Sequence, residues 1–573
     1  MSKDFDLVIR GGTLADGSGA ELRESDVAIR DGRIARVGRF DGSGAEEIDA
    51  RGLLVTPGFV DIHTHYDAQV TWDERFAPSS DHGVTTVLMS NCGIGFAPCR
   101  TEQRELLMKL MEGIEDIPAP VMAKGIPWQW ESFPEFMDYL ATQRRDLDFA
   151  VQVPHAPVRV HVMGERGAQR EPATDADIQQ MADIVREAMR SGAYGFSTSR
   201  TMNHRLKDGT LAPTITVAEE ELRALALAVR DSGRGVLQMV DDFHATSEDD
   251  SAEFAMWERL VAGSGRPMSF SLTQSNAAPQ RWRTLLRLME QANARGHRIK
   301  GQVCARAVGS LYGLELSNHP FTGCPGYERI AALPLAARIA EMRKPDTRAR
   351  ILAERPVGLP QRRMLSNRAV DAIFEFGDPP DYCPPADRTL ARRARALGIS
   401  GLELAYDLLT QGDGDTLFYY PAANYVDRNF DAVEAMMNHP DSILALGDGG
   451  AHVARTCDAS LPTFVLAYWT RDRAGARMPL ATAVRRLARE TAELVGMRDR
   501  GLVAPGLVAD LNVIDYDRLT LHAPRPVKDL PTGATRLSQK ATGYVATVKS
   551  GELIYREGQP TGALPGRLLR SVA

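Results

Sequence analysis

Three short stretches of this chain deliver metal-ligating side chains at the ends of strand-like runs. In Pro57-Gly58-Phe59-Val60-Asp61-Ile62-His63-Thr64-His65 an apolar run closes on His-x-His. Residues two apart on a strand share a face, so both imidazoles can converge on one divalent ion, and imidazole nitrogen suits zinc. In Gly83-Val84-Thr85-Thr86-Val87-Leu88-Met89-Ser90-Asn91-Cys92-Gly93 a second run delivers the thiol of Cys92, which zinc would hold as thiolate. In Ile443-Leu444-Ala445-Leu446-Gly447-Asp448-Gly449-Gly450 a third delivers the carboxylate of Asp448 into a glycine-rich turn. That carboxylate can serve as a ligand and can also take a proton from an attacking water and return it to a leaving nitrogen.

Other polar residues follow similar runs. His155, after Val151-Gln152-Val153-Pro154, is expected at a third strand end as a ligand or a donor to a substrate carbonyl, the plain alternative being a ring bonded to backbone. Arg200 and Arg455 follow the fourth and eighth runs, where a guanidinium can grip a substrate carboxylate through two parallel bonds; surface ion pairing is the alternative for each. His244 lies in an acidic stretch from Asp241 to Asp250 and reads as an exposed loop histidine.

Such side chains work together only if separate strand ends meet. Candidate strands fall at Phe59 to His63, Val84 to Met89, Phe149 to Val153, Tyr194 to Ser197, Gly235 to Val240, Met268 to Leu272, Lys300 to Cys304 and Ile443 to Leu446. Helical patterns separate them. The best marked has Thr174 as N-cap, Asp177 three residues on, and Ile178, Met181, Val185 and Met189 at helical spacing. Strands alternating with helices predict an α/β chain built on a (β/α)8 TIM-like barrel, whose strand ends gather at one mouth. The interval before the last strand is far longer than a minimal unit requires, so an inserted subdomain is expected at about 306–440. Its aromatics, Tyr419 and Tyr420 among them, are expected over the mouth in contact with substrate, a plain packing or oligomer role for the insertion being the alternative.

Both chain ends carry Val- and Ile-rich runs bounded by turns. They predict a small β-sandwich assembled from residues 1–56 and 491–573, with the metal-binding barrel at 57–490 between them. A composition of 43% apolar and 25% charged residues excludes disordered and fibrous classes. A net charge of −7 argues against a nucleic-acid or anionic-membrane surface and favours a small-molecule partner; oligomer formation stays open. Six cysteines without CxxC spacing fit a reducing compartment, and charges at Lys3, Asp4 and Asp6 interrupt any leader-like apolar segment, so the expectation is a cytoplasmic protein.

Asp6-Leu7-Val8-Ile9-Arg10-Gly11-Gly12, Asp31-Gly32-Arg33-Ile34, Thr56-Pro57-Gly58 and His63-Thr64-His65 together resemble the amidohydrolase superfamily across nearly the whole chain. Asn91-Cys92-Gly93, Gly195-Phe196-Ser197 and Gly447-Asp448-Gly449 resemble its D-aminoacylase branch, the N-acyl-D-amino-acid deacylases. The resemblance implies a metal-dependent amide hydrolase with ligand roles on His63, His65, Cys92 and Asp448, Asp448 also shuttling the proton, and it puts Arg455 at the branch's carboxylate-binding position. Two departures stand out. The branch has histidines at the ends of strands five and six, where this chain offers Gln238 and Gln274, and strand four has no lysine to bridge two metals. The expectation is therefore a zinc-dependent hydrolase of an N-acyl amino acid amide with one Zn²⁺ per chain. A cyclic amide or lactam hydrolase is the alternative, and a non-catalytic relative of the same fold is the alternative of another class.

Overall fold

The computed structural model describes residues 3–242, 250–358 and 365–571; His244 lies outside them. The apolar runs of the middle region form parallel strands, and their near-continuous hydrophobicity reflects burial on both faces. In chain order they are strand one (Phe59–Asp61), two (Val84–Met89), three (Asp148–Val151, resumed at Val153–Pro154), four (Gly195–Ser199), five (Val236–Val240), six (Met268–Ser271), seven (Ile299–Val303) and eight (Ser442–Leu444). Strands one, two and the first part of three make one parallel sheet, and the rest of three continues in order through four, five, six and seven to eight. Beyond strand eight the chain turns back to strand one: Asp448 N–H donates to the His63 carbonyl at 3.0 Å, and His65 N–H donates to the Gly449 carbonyl at 2.7 Å. The helix Asp175–Arg190 is capped by Thr174, whose hydroxyl accepts from the Asp177 N–H.

Strands from the two chain ends join in one continuous nine-stranded sheet. Leu54–Pro57 is the seam, parallel to Phe5–Leu14 on one side and antiparallel to Leu511–Ile514 on the other. Leu7, Ile9, Val27, Val55, Leu511, Val513 and Val548 pack together beneath it. A buried ionic group ties this sheet to the parallel strands: Asp148 accepts from Arg500 at 2.8 Å and lies 2.9 Å from the Lys549 ammonium, which also reaches Asp510 at 2.8 Å. The last residues leave the sheet. Phe149 N–H donates to the Arg567 carbonyl at 3.1 Å, so the tail lies along strand three.

Between strands seven and eight the chain forms an antiparallel sheet of Val308–Tyr312, Phe374–Phe376 and Leu417–Ala423, with helices including Leu335–Met342, Pro345–Ala353 and Gly401–Leu409. This segment has its own apolar core around Phe321, Ile351, Tyr406 and Phe418. Among the described residues no helix is long and apolar enough to cross a membrane.

Candidate metal centre

The donor atoms of His63, His65 and Cys92, all buried, lie within 4.8 Å of one another. His63 Nε2 is 3.3 Å from Cys92 Sγ and 3.4 Å from Asp448 Oδ1, and His65 Nε2 is 3.9 Å from the same Asp448 oxygen. Two imidazoles, a thiol and a carboxylate thus converge.

Local structure explains how each arrives. Asp61 accepts from the His63 N–H at 3.0 Å, and a Cβ at Gly447 would fall 2.1 Å from the Asp61 carboxylate, so only glycine lets the strand-eight loop approach this closely. Asp67 accepts from the Ser90 N–H at 3.1 Å and from its hydroxyl, while the Asn91 amide donates to the carbonyls of Thr64 at 3.1 Å and Leu88 at 2.9 Å. These bonds hold a tight turn with Ser90 and Cys92 both at φ 58°. Gly93 follows at φ 71°, where a Cβ would stand 2.9 Å from the Thr198 Cα. Gln238 and Gln274 support loops. Gln238 accepts from the Cys92 N–H at 2.8 Å, and Gln274 donates to Asp427 at 2.8 Å.

Burial lowers His63 to about 4 and His65 well below the usual imidazole range, the latter helped by His63, His452 and His204, so both rings are neutral with a lone pair to offer. Burial, together with Glu115, Asp448 and Asp67, pushes the Cys92 thiol well up; burial, Asp458 and Asp61 do the same to Asp448. The cluster therefore stores acids that a positive charge would ionise. Several buried polar atoms here have no hydrogen-bond partner among the described residues: His65 Nδ1, one Glu115 oxygen, Gln238 Nε2, His452 Nδ1 and Arg455 Nε. The donor set and these open positions fit a zinc ion.

Three residues expected at the mouth are engaged elsewhere. His155 uses both ring nitrogens, Nδ1 on Thr198 Oγ1 and Nε2 on Glu221, each at 2.8 Å, so it has no lone pair for a metal. Arg200 donates to Glu253 and to the Val217 carbonyl, each at 2.8 Å, so a protein carboxylate takes the place expected for a substrate's. Tyr419, 2% exposed, donates to the Ala307 carbonyl at 3.0 Å and packs against Phe376 and Tyr382; it is core. Tyr420 is half-buried and stacks on Tyr312 with ring centroids 6.2 Å apart.

Sequence reasoning missed Glu115, Gln302, His204 and His452. His63 Nδ1 meets Gln302 Oε1 at 2.5 Å, and Glu115 lies 3.5 Å from His65 Nδ1 and 3.6 Å from His452 Nε2. His204 is held by Ser199 at 2.7 Å. Glu115 had a signal: in the helix Arg104–Glu115 it follows Leu107 and Met111 at four-residue steps, a carboxylate on an apolar stripe.

A model of the amidohydrolase family matches residues 46–555. This chain belongs to that family. Its amidohydrolase relatives include the D-aminoacylase of Alcaligenes xylosoxydans xylosoxydans, 26% identical over all of this chain and 99% of that protein. Among solved amidohydrolase structures, a D-aminoacylase studied for its binuclear metal centre, with one-metal activation and second-metal attenuation, superposes with a TM-score of 0.65 at 21% identity, covering 99% of this chain and 100% of that one. An N-acyl-D-glutamate deacylase from Bordetella bronchiseptica, complexed with zinc and a phosphonate mimic of the tetrahedral intermediate, gives 0.64 at 22% identity over 99% of both chains.

Proposed function

We propose that this amidohydrolase is a zinc-dependent deacylase that cleaves the amide of N-acyl amino acids and holds one tightly bound Zn²⁺ per chain. The observation that carries the reading is the convergence of His63, His65 and Cys92 within 4.8 Å beside Asp448. Full-length similarity to a D-aminoacylase supports the substrate class. The scaffold we infer is a (β/α)8 barrel whose eight parallel strands close through the bonds between His63, His65 and the Asp448 loop. The terminal sheet is read as a β-sandwich and the segment at about 306–440 as an inserted subdomain.

His63, His65, Cys92 and Asp448 would hold the ion. When bound, zinc supplies Lewis acidity toward the amide carbonyl and brings the pKa of a water from about 15.7 toward about 7. Gln302 keeps the His63 proton on Nδ1, because its own amide is oriented by a 2.8 Å bond to Ser269 Oγ. Asp448, at the edge of the cluster, accepts the proton of the attacking water and returns it to the amide nitrogen as the C–N bond breaks. The products are a carboxylate and a free amine. Arg455, its Nε buried without a partner among the described residues, offers the substrate carboxylate a guanidinium.

Elemental analysis of dialysed protein tests the metal, and a panel of N-acyl-D-amino acids, N-acyl-L-amino acids and cyclic amides tests the substrate. Close to one zinc, lost in His63→Ala, with hydrolysis confined to linear N-acyl substrates, is the expected result. Two retained equivalents would overturn the count, and turnover of cyclic amides alone would overturn the substrate class.

A further inference from the structure

The two histidines of the metal centre are supported from behind in different ways. Behind His63 stands the neutral amide of Gln302. Behind His65 stands Glu115, the last residue of the helix Arg104–Glu115 and only 2% exposed. Its Oε1 is 3.5 Å from His65 Nδ1, which has no hydrogen-bond partner among the described residues; its Oε2 is 3.6 Å from His452 Nε2 and has none either. No lysine or arginine forms an ion pair with it among the described residues. A carboxylate buried only to stabilise the fold needs close partners, because its desolvation costs several kcal/mol. Glu221 in this molecule has them in Arg159 and His155. Glu115 faces two imidazoles instead, one from strand one and one from the strand-eight loop.

We propose that Glu115 is a positioning residue: it accepts from His65 Nδ1–H, fixing the tautomer that turns the Nε2 lone pair toward Asp448 and the ion, and it holds His452 of the strand-eight loop in register with His65. The assignment rests on the metal-centre reading. A carboxylate behind a ligating histidine raises the basicity of the ring, and losing such a partner typically lowers metal affinity about 10- to 100-fold.

The test compares zinc affinity, by competition with a chromophoric chelator, in the wild type, Glu115→Gln and His65→Ala, alongside the thermal midpoint of each metal-free protein. A loss of about 10- to 100-fold in Glu115→Gln, with metal-free stability near wild type, is expected. Affinity within about threefold of wild type overturns the proposal. A loss as complete as in His65→Ala also overturns it, since Glu115 would then be a ligand. Wild-type protein that binds no zinc overturns the metal-centre reading and this assignment together, whereas zinc-binding wild type with an unaffected variant overturns this assignment alone. A measurement on the wild type covers the case in which the variant does not fold. In zinc-loaded, ¹⁵N-histidine-labelled protein the His65 ring, identified by its absence in His65→Ala, should carry its proton on Nδ1, and a proton on Nε2 overturns the proposal.

Discussion

Two buried groups of histidine and carboxylate lie among the same parallel strands and are completed differently. Around His155, both ring nitrogens and both Glu221 oxygens have partners: Thr198, Glu221 and His155 at 2.8 Å, and Arg159 on the second oxygen. Burial raises Glu221, but the bonds from His155 and Arg159 outweigh it and leave this carboxyl below its ordinary range. Around His65, burial with Asp448 and Asp67 pushes Glu115 well above that range, and ring and carboxylate atoms stay unpartnered among the described residues. Burial of ionisable groups is common to both. What marks a site for a cation is therefore the unmet bonding capacity.

The comparison can be broken where it matters most for turnover. Asp448→Asn keeps the shape of the residue but cannot carry a proton, so kcat on an N-acyl amino acid should fall about 10²- to 10⁴-fold at an unchanged thermal midpoint. Retention of more than half the wild-type kcat would remove Asp448 from the proton path. In the completed group, Glu221→Gln strands the buried Arg159 and should cost about 3–5 kcal/mol of unfolding free energy while zinc per folded chain stays the same. Denaturant titration with metal analysis decides it, and loss of zinc at intact stability would reverse the roles of the two groups.

Acid sharpens the contrast further. His82, bonded to Thr463 at 2.8 Å and to the Gln539 carbonyl at 3.0 Å, is pushed by burial to about 3, and burial also lowers His155. The unfolded chain takes up these protons near about 6.5. Their folded pKa values are depressed, so the native state refuses protons that the unfolded state accepts. Stability is then fully present above about 6.5 and falls as the pH drops below it. The thermal midpoint of metal-free protein should follow that course, less steeply in His82→Gln; an identical slope in the variant would refute the assignment. The smallest effect belongs to Thr198→Val, which removes one bond to His155 and should cost about 1 kcal/mol without changing zinc affinity. A measurable fall in affinity would mean that the two groups are coupled.

How much of this was legible in the sequence follows from how far each signal extends along the chain. His63 and His65 could be read because an apolar strand and its two-residue alternation are local, and the same holds for Cys92 and Asp448 at the ends of Val84–Met89 and Ser442–Leu444. Tyr419 misled because an aromatic cluster looks the same whether it lines a mouth or fills a core, and only the partners Ala307, Phe376 and Tyr382 distinguish the two. His155 misled in the same way, since its strand-end position was right but Glu221, 66 residues on, takes the ring. Glu115 and Gln302 reach the histidines from a helix end and from strand seven, and nothing local shows where those elements will be placed.

The seam of the terminal sheet sets a timetable. Leu54–Pro57 cannot pair with Leu511–Ile514 until the later strand exists, and the Asn512 amide that faces the Pro57 carbonyl is 455 residues further along. At about 5–20 residues per second, the ribosome needs roughly 20 to 90 seconds to reach it. Throughout that interval Leu54–Pro57 presents an open, apolar edge to whatever else is nearby. For this chain, being made slowly is a period of exposure, and it ends only when the far end comes back to close the sheet.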